Sequence, residues 1–218
     1  MKKKKAFTLS EVLIVLAIIG VVAALTMPML MNNYQKTQQI VALKKVYSQI
    51  SDAVDRVMID ENAEKFTEVS LLNGDDADPK AFFKKYFRVS KFCAPDDSAS
   101  CFPSVTSLDK SSTGNITNGD DCVVVKDGAS ICILPGDGNH WTNVIVDTNG
   151  LDKPNIGGRD VFYFSIYYDG SVDEINPDSK ASKNAAEIRE HRKDVCEGNA
   201  YGGGCLSRVI DAGWKMDY

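Results

Sequence analysis

The stretch from Ala6 to Met31, AFTLSEVLIVLAIIGVVAALTMPMLM, places one acidic residue, Glu11, directly before a run that is apolar from Val12 to Met31 except for Thr26. Gly20 and Pro28 are the helix-weakening residues in that run. A bilayer span needs about 20 apolar residues at 1.5 Å of rise each, and this run meets the requirement. Lys2 to Lys5 stand immediately ahead of it. Positive charge beside a first span holds that end in the cytoplasm, so the remainder of the chain is expected on the other side.

Glu11 needs an explanation, because a carboxylate beside the hydrocarbon region costs free energy unless it has a partner. One explanation is local: Thr8 and Glu11 have the T-x-x-E spacing of a capping box, which satisfies orphan amides at a helix start. The other requires a positive charge at the same depth. A cut between Ala6 and Phe7 would supply one, a terminal ammonium about one turn before Glu11 that the Glu11 of another subunit could pair with.

These residues resemble a known family. KKKKAFTLSEVLIVLAIIGVVAAL is similar to the leader and cleavage site of type IV pilin-like proteins, the group that includes pilins and the pseudopilins of type II secretion. The resemblance implies that a prepilin peptidase removes Met1 to Ala6 and N-methylates Phe7. It also implies that Glu11 directs assembly, and that Pro28 is the kinking proline common in that family. The sequence departs from the family at two positions: Ala6 stands where Gly is usual, and Ser10 where an aliphatic residue is more common. The resemblance covers about 25 residues, with charge, cut site, Glu and apolar run in the family's order.

The 44% hydrophobic and 25% charged composition fits one anchored globular domain. The formal charge of −5 becomes −9 once the leader lysines are removed. That balance argues against binding a phosphate backbone, so nucleic acid is not an expected partner. Six cysteines occur as three close pairs, Cys93 with Cys101, Cys122 with Cys132, and Cys196 with Cys205. In an exported domain they read as disulfides; sequence alone allows 15 connectivities, and local pairing is the expectation. Zinc is the competing use, but no C-x-x-C spacing is present, and His140 and His191 make no short ligand pair.

Beyond Met31 the helical pattern persists as an amphipathic stripe of Ile40, Leu43, Val46 or Tyr47, Ile50, Val54 and Val57. The expected organisation is therefore a leader (1–6), a membrane or filament-core half-helix (7–31), an amphipathic half-helix (32–59) and a head (60–218). The predicted fold class is α+β, a long N-terminal helix packed on an antiparallel sheet of four to five strands. Asp78-Pro79 starts a short helix to Phe87 whose aromatic residues face inward. The Ser-, Thr-, Asp- and Gly-rich segment from Cys93 to Asp121 reads as an exposed loop.

In CVVVKDGASICI, a three-residue loop at Lys126, Asp127 and Gly128 sets Val125 opposite Ala129 and Cys122 opposite Cys132. Strands are predicted at Trp141 to Asp147, Val161 to Tyr168 and Ser171 to Ile175, with Phe162, Phe164 and Ile166 inward. The loop DTNGLDKPNIGGRD between the first two offers Asp147, Asn149, Asp152 and Asp160 as oxygen ligands, a set that suits calcium. Its alternative is a turn whose polar side chains cap their own backbone. Some pseudopilins hold calcium near their C-terminal strands, so the resemblance adds modestly to the calcium reading. The charged segment from Ser179 to Val195 is expected to be helical around Ala185 to Arg192. A glycine-rich loop closed by Cys196 and Cys205 follows, then a helical turn capped by Gly213.

Neither histidine, cysteine nor carboxylate placement forms a catalytic constellation, and the expectation is a structural subunit rather than an enzyme. The implied partners are other copies of itself, prepilin peptidase, other pilins or pseudopilins and an inner-membrane assembly platform. The expected location is a single-pass inner-membrane protein with a cytoplasmic N-terminus, later part of a filament. The alternative is a secreted or membrane-anchored binding protein or hydrolase with an ordinary signal peptide cut after Ala24. The apolar run continuing past Ala24 speaks against it.

Overall fold

Helix α1, Leu9–Asp60, carries the apolar run and the amphipathic stripe without interruption. The computed structural model describes residues 8–117, 119–134, 142–176, 184–198 and 202–218. The leader, the Ala6–Phe7 bond and Trp141 lie outside the described residues. Contacts divide the chain into two units, Met1–Gln38 and Gln39–Tyr218, each described by itself below.

In the first unit no described residue is buried. The most apolar window of α1 has a mean hydropathy of 2.7, and the helix is long and apolar enough to cross a membrane. Thr26, the polar residue in the run, donates its hydroxyl to the Val22 carbonyl at 2.9 Å. Its polarity is thus satisfied within the helix, as a lipid environment requires. Pro28 lies inside α1, where its ring removes one backbone donor.

The second unit buries what the first exposes. Ile40, Leu43, Val46, Ile50, Ala53, Val54 and Val57 of α1 are all buried, the stripe expected from three- and four-residue spacing. Tyr47, at its border, meets Phe164 edge-on at 6.0 Å and Trp214 at 5.2 Å, and donates its hydroxyl to the Val172 carbonyl at 2.7 Å. After a short 3-10 turn at Phe66–Glu68 comes α2, Pro79–Tyr86, whose Asp78 cap accepts the Ala81 amide at 2.9 Å. Phe82 and Phe83 are buried, and Tyr86 and Phe87 pack against the same core.

The sheet has six antiparallel strands rather than four or five. In chain order these are β1 (Val89–Cys93), β4 (Asp121–Val125), β5 (Ser130–Leu134), β6 (Thr142–Asp147), β7 (Val161–Ile166) and β8 (Val172–Glu174), adjacent in that order. Strands β4 to β8 form the expected meander. The β4–β5 hairpin has Cys122 opposite Cys132, and the Val125 amide donates to the Ala129 carbonyl at 2.9 Å. Gly128 takes the positive φ of 101° that its loop position demands. The added strand is β1, paired with β4 through Cys93 opposite Cys122. Its sequence, VSKFC, sits next to polar loops and offers little hydrophobic alternation; long-range pairing with a buried strand makes it a strand.

One sheet face carries Val123, Val125, Ile131, Ile133, Val144, Val146, Phe162, Phe164 and Ile166 into the core shared with α1. The other is covered as well, which corrects the reading of 93–121 as an exposed loop. That segment contains a 3-10 stretch (Pro95–Ser100) and a two-stranded ribbon, β2 (Val105–Thr106) with β3 (Thr113–Gly114). It lays Phe102 and Val105 into a second cluster with Cys93, Cys101, Cys122, Cys132, Ile145 and Val161. The buried Ser130 hydroxyl donates to the Cys101 carbonyl at 2.6 Å, tying the segment to β5. Two large apolar residues in a polar stretch suffice because burying each is worth roughly 1.5 to 3 kcal/mol.

Disulfides join Cys93 to Cys101, Cys122 to Cys132, and Cys196 to Cys205. Helices α3 (Ala185–Arg192) and α4 (Cys205–Asp211) close the chain beside β8.

Candidate functional site

The first candidate is the start of α1. Glu11 Oε2 accepts both the Thr8 amide, at 2.8 Å, and the Thr8 hydroxyl, at 2.9 Å, while the Glu11 amide donates to Thr8 Oγ1 at 3.3 Å. The capping box is therefore formed. These bonds use one carboxylate oxygen and leave Oε1 to a further partner. They also involve Thr8 rather than Phe7, so a cut before Phe7 would leave the box intact and add an ammonium one residue upstream. The capping box thus leaves half of the Glu11 carboxylate uncommitted. Ala6 and Phe7 themselves lie outside the described residues.

The second candidate is the loop from Asp147 to Asp160. Asp147 and Asp160 are buried, at 0% and 1% exposure, at the ends of β6 and before β7. Asp147 Oδ1 accepts the amides of Asn149 (3.1 Å) and Gly150 (3.0 Å). Asp160 accepts the amides of Asn155 (2.8 Å) and Ile156 (2.6 Å), one on each oxygen. The Asn155 side chain, with its nitrogen turned toward them, donates to the Asp152 carbonyl at 2.7 Å and to Asp147 Oδ2 at 3.1 Å. Asn149 Nδ2 reaches the carbonyls of Asp152 (2.9 Å) and Lys153 (3.1 Å).

Of the four calcium candidates, then, Asp147 and Asp160 converge as carboxylates, Asn149 joins them through its amide, and Asp152 turns its backbone carbonyl inward while its side chain is exposed. No group of three acidic, histidine or cysteine side chains able to hold a metal occurs among the described residues. The carboxylates serve the loop's own amides. Against that, Asn149 Oδ1 is a buried acceptor with no hydrogen-bond partner, a property that suits a cation. Burial, and next the charge of Asp160, push the Asp147 carboxyl up to about 8. Burial also raises Asp160, although its two backbone donors pull the other way. Gly150 lets the loop press on the β4–β5 turn, since a Cβ there would lie 2.1 Å from the Gly128 carbonyl oxygen.

A third polar cluster escaped the sequence reading. Glu174 of β8 is fully buried and accepts the amides of Gly204 and Ser207, both at 2.8 Å, at the start of α4. Arg192 stands 3.6 Å from it, and burial still raises the Glu174 carboxyl. Beside it Asp173 binds Arg189 through both guanidinium Nε, at 3.1 Å, and Nη2. These adjacent acids hold α3 and α4 to the sheet edge. Two consecutive acids inside a predicted strand were the available signal, because such groups are buried only when paired.

A family model described as the prokaryotic N-terminal methylation motif matches residues 1–27. Type II secretion system core protein G of Aeromonas hydrophila is 34% identical over 70 residues, 32% of this chain and 48% of that protein. The protein of the same name from Pectobacterium carotovorum subsp. carotovorum is 35% identical over 69 residues, 32% of this chain and 44% of that one. The chain thus spans less than half the length of these curated relatives. No solved structure matches it. Beside the exposed apolar helix and the Thr8–Glu11 start, these matches show that the chain carries the prokaryotic N-terminal methylation motif and is similar over about a third of its length to type II secretion system core protein G.

Proposed function

We propose that this chain is a structural subunit of a pilus-like or type II secretion pseudopilus filament, and not an enzyme. The observation that carries the reading is the helix segment from Leu9 to Met31, apolar and without a buried residue in the isolated chain. Such a surface requires lipid or other helices around it. The subunit waits in the inner membrane with its N-terminus cytoplasmic and its head outside. Prepilin peptidase cuts between Ala6 and Phe7 and methylates Phe7. An assembly platform and other pseudopilins then receive it. Packing helix on helix replaces lipid contact by protein contact, which is close to neutral for apolar groups, so pairing of Glu11 with a neighbour's Phe7 amine selects the register.

The test is Glu11→Ala in the full chain. The variant should remain inserted and processed while filament yield falls roughly 100-fold, the equivalent of stranding one charge near lipid. Unchanged filament yield would remove the pairing mechanism. Mass spectrometry of the mature N-terminus checks processing independently: a peptide beginning at N-methylated Phe7 is expected, whereas one beginning at Leu25 would favour an ordinary signal peptide.

Calcium at Asp147, Asn149, Asp152 and Asp160 is a separate proposal. Its support is the oxygen-rich donor set and the unpartnered Asn149 Oδ1. Calorimetric titration of the full chain in detergent with calcium should give heat and raise the melting temperature of the head; neither response would eliminate the site.

A further inference from the structure

The mature chain is acidic, yet one cleft in the head gathers positive charge. It measures about 360 Å³, at the small end of ligand clefts, between the outer face of α1, the residues after α2 and the β4–β5 turn. Arg56, Arg88 and Lys126 line it, and none of them has an ion pair within 4 Å among the described residues. Asp127 on the same rim is already bound, to Lys45 at 2.7 Å and to Gln49 Nε2 at 2.9 Å. Asp52 offsets one of the three cations, and Asp60, which lies close enough to Arg56 to feel its charge, is already paired with Lys85 at 2.8 Å, so an excess of positive charge remains. Gln49 Oε1, also in the lining, is buried and accepts no hydrogen bond.

The cleft therefore asks for two things at once, carboxylates for its cations and an N–H donor for Gln49. A bare anion supplies the first only. A turn bearing adjacent aspartates supplies both. We propose that the cleft docks the Asp75–Asp76 turn of another copy of this chain, a contact that rests on the reading of the protein as a self-assembling subunit. Asp75 and Asp76 are exposed on a turn opened by Gly74 at φ 82°, and no partner engages their carboxylates among the described residues. The other exposed pair, Asp96 and Asp97, is half committed, because Asp97 accepts the Ser100 hydroxyl at 2.6 Å. Contacts between exposed charges carry little affinity each and are screened by salt. Their role here is to choose which copy sits where, the use to which complementary charge is best suited.

The experiment places a photo-crosslinking benzoylphenylalanine at Asp52 in the full chain in its native membrane, and the same residue at Leu16 in a second strain as a helix-packing control. Irradiation should give dimers at both positions. After trypsin, the Asp52 dimer should carry the peptide covering residues 66–80 of the other copy. A dimer from Leu16 with none from Asp52, or with a different peptide, overturns the docking and leaves self-assembly standing. No dimer at either position overturns both. Arg56→Glu with Arg88→Glu should lower the Asp52 crosslink about fivefold, the scale of exposed charge pairs. Adding Asp75→Arg and Asp76→Arg to the same chain should restore it, and failure to restore it overturns the pairing.

Discussion

One helix serves two regions that differ in almost every respect. Up to Gln38 no described residue is buried, although this is the most apolar part of the chain. From Ile40 to Val57 seven positions are buried, although Lys44, Lys45, Asp52, Asp55 and Arg56 are interleaved among them. Apolar content alone does not bury a residue; a partner surface does. Among the described residues nothing covers the first region, and an apolar surface of that size is of the kind that lipid or other helices cover. The second has its partner in the same chain, the face of β4 to β8. The methylation motif lies wholly within the first region, ending at residue 27.

The sharpest way to test the division is to damage one region and look for effects in the other. Phe164→Ala empties a fully buried ring position between Tyr47 and the sheet. It should cost the head about 3 to 5 kcal/mol in denaturant or thermal unfolding. Membrane insertion and cleavage before Phe7 should be unchanged, and loss of insertion would mean that the two regions are not separable. Glu11→Ala should do the reverse, lowering assembly while leaving the head's melting temperature within error.

Thr8→Ala separates the two roles of Glu11. It removes the cap but not the carboxylate, so it should weaken the helix start by about 1 kcal/mol and reduce filament yield far less than Glu11→Ala. Equal losses from the two variants would assign Glu11 to capping.

The smallest effect concerns the acidic loop. Asp147 rises from the ordinary 3.8 to about 8 in the folded head. A raised carboxyl binds its proton more tightly when folded, so its stabilising share is complete below about pH 4 and is lost as pH climbs through 8. Asp160, raised by burial, has the same sign. In calcium-free buffer the melting temperature of the head should therefore fall from pH 6 to pH 9, and Asp147→Asn should flatten part of that slope. A slope unchanged by the substitution would place the titration elsewhere.

Local chemistry was legible in the sequence where neighbours along the chain decide the outcome. The Asp78 cap with Pro79, the α1 stripe and the register of Cys122 with Cys132 each depend on residues within a turn or two. β1, the burial of Phe102 and Val105, and the Glu174 clamp on α4 did not emerge, because each depends on partners far along the chain. Glu174 and Ser207 are separated by 33 positions, and no periodicity links them.

The sequence by itself determined that this chain has an apolar helix with an acidic residue at its start, an amphipathic continuation and an antiparallel meander, because hydrophobic period, charge position and turn residues act over short range. Tertiary structure alone decided that both sheet faces are covered, that Asp147 and Asp160 turn to their own loop's amides, and that Asp173 and Glu174 lock the C-terminal helices. The physical reason is that burying a charge or recruiting an edge strand depends on what meets it across the core, and that partner is chosen only when the whole chain has folded.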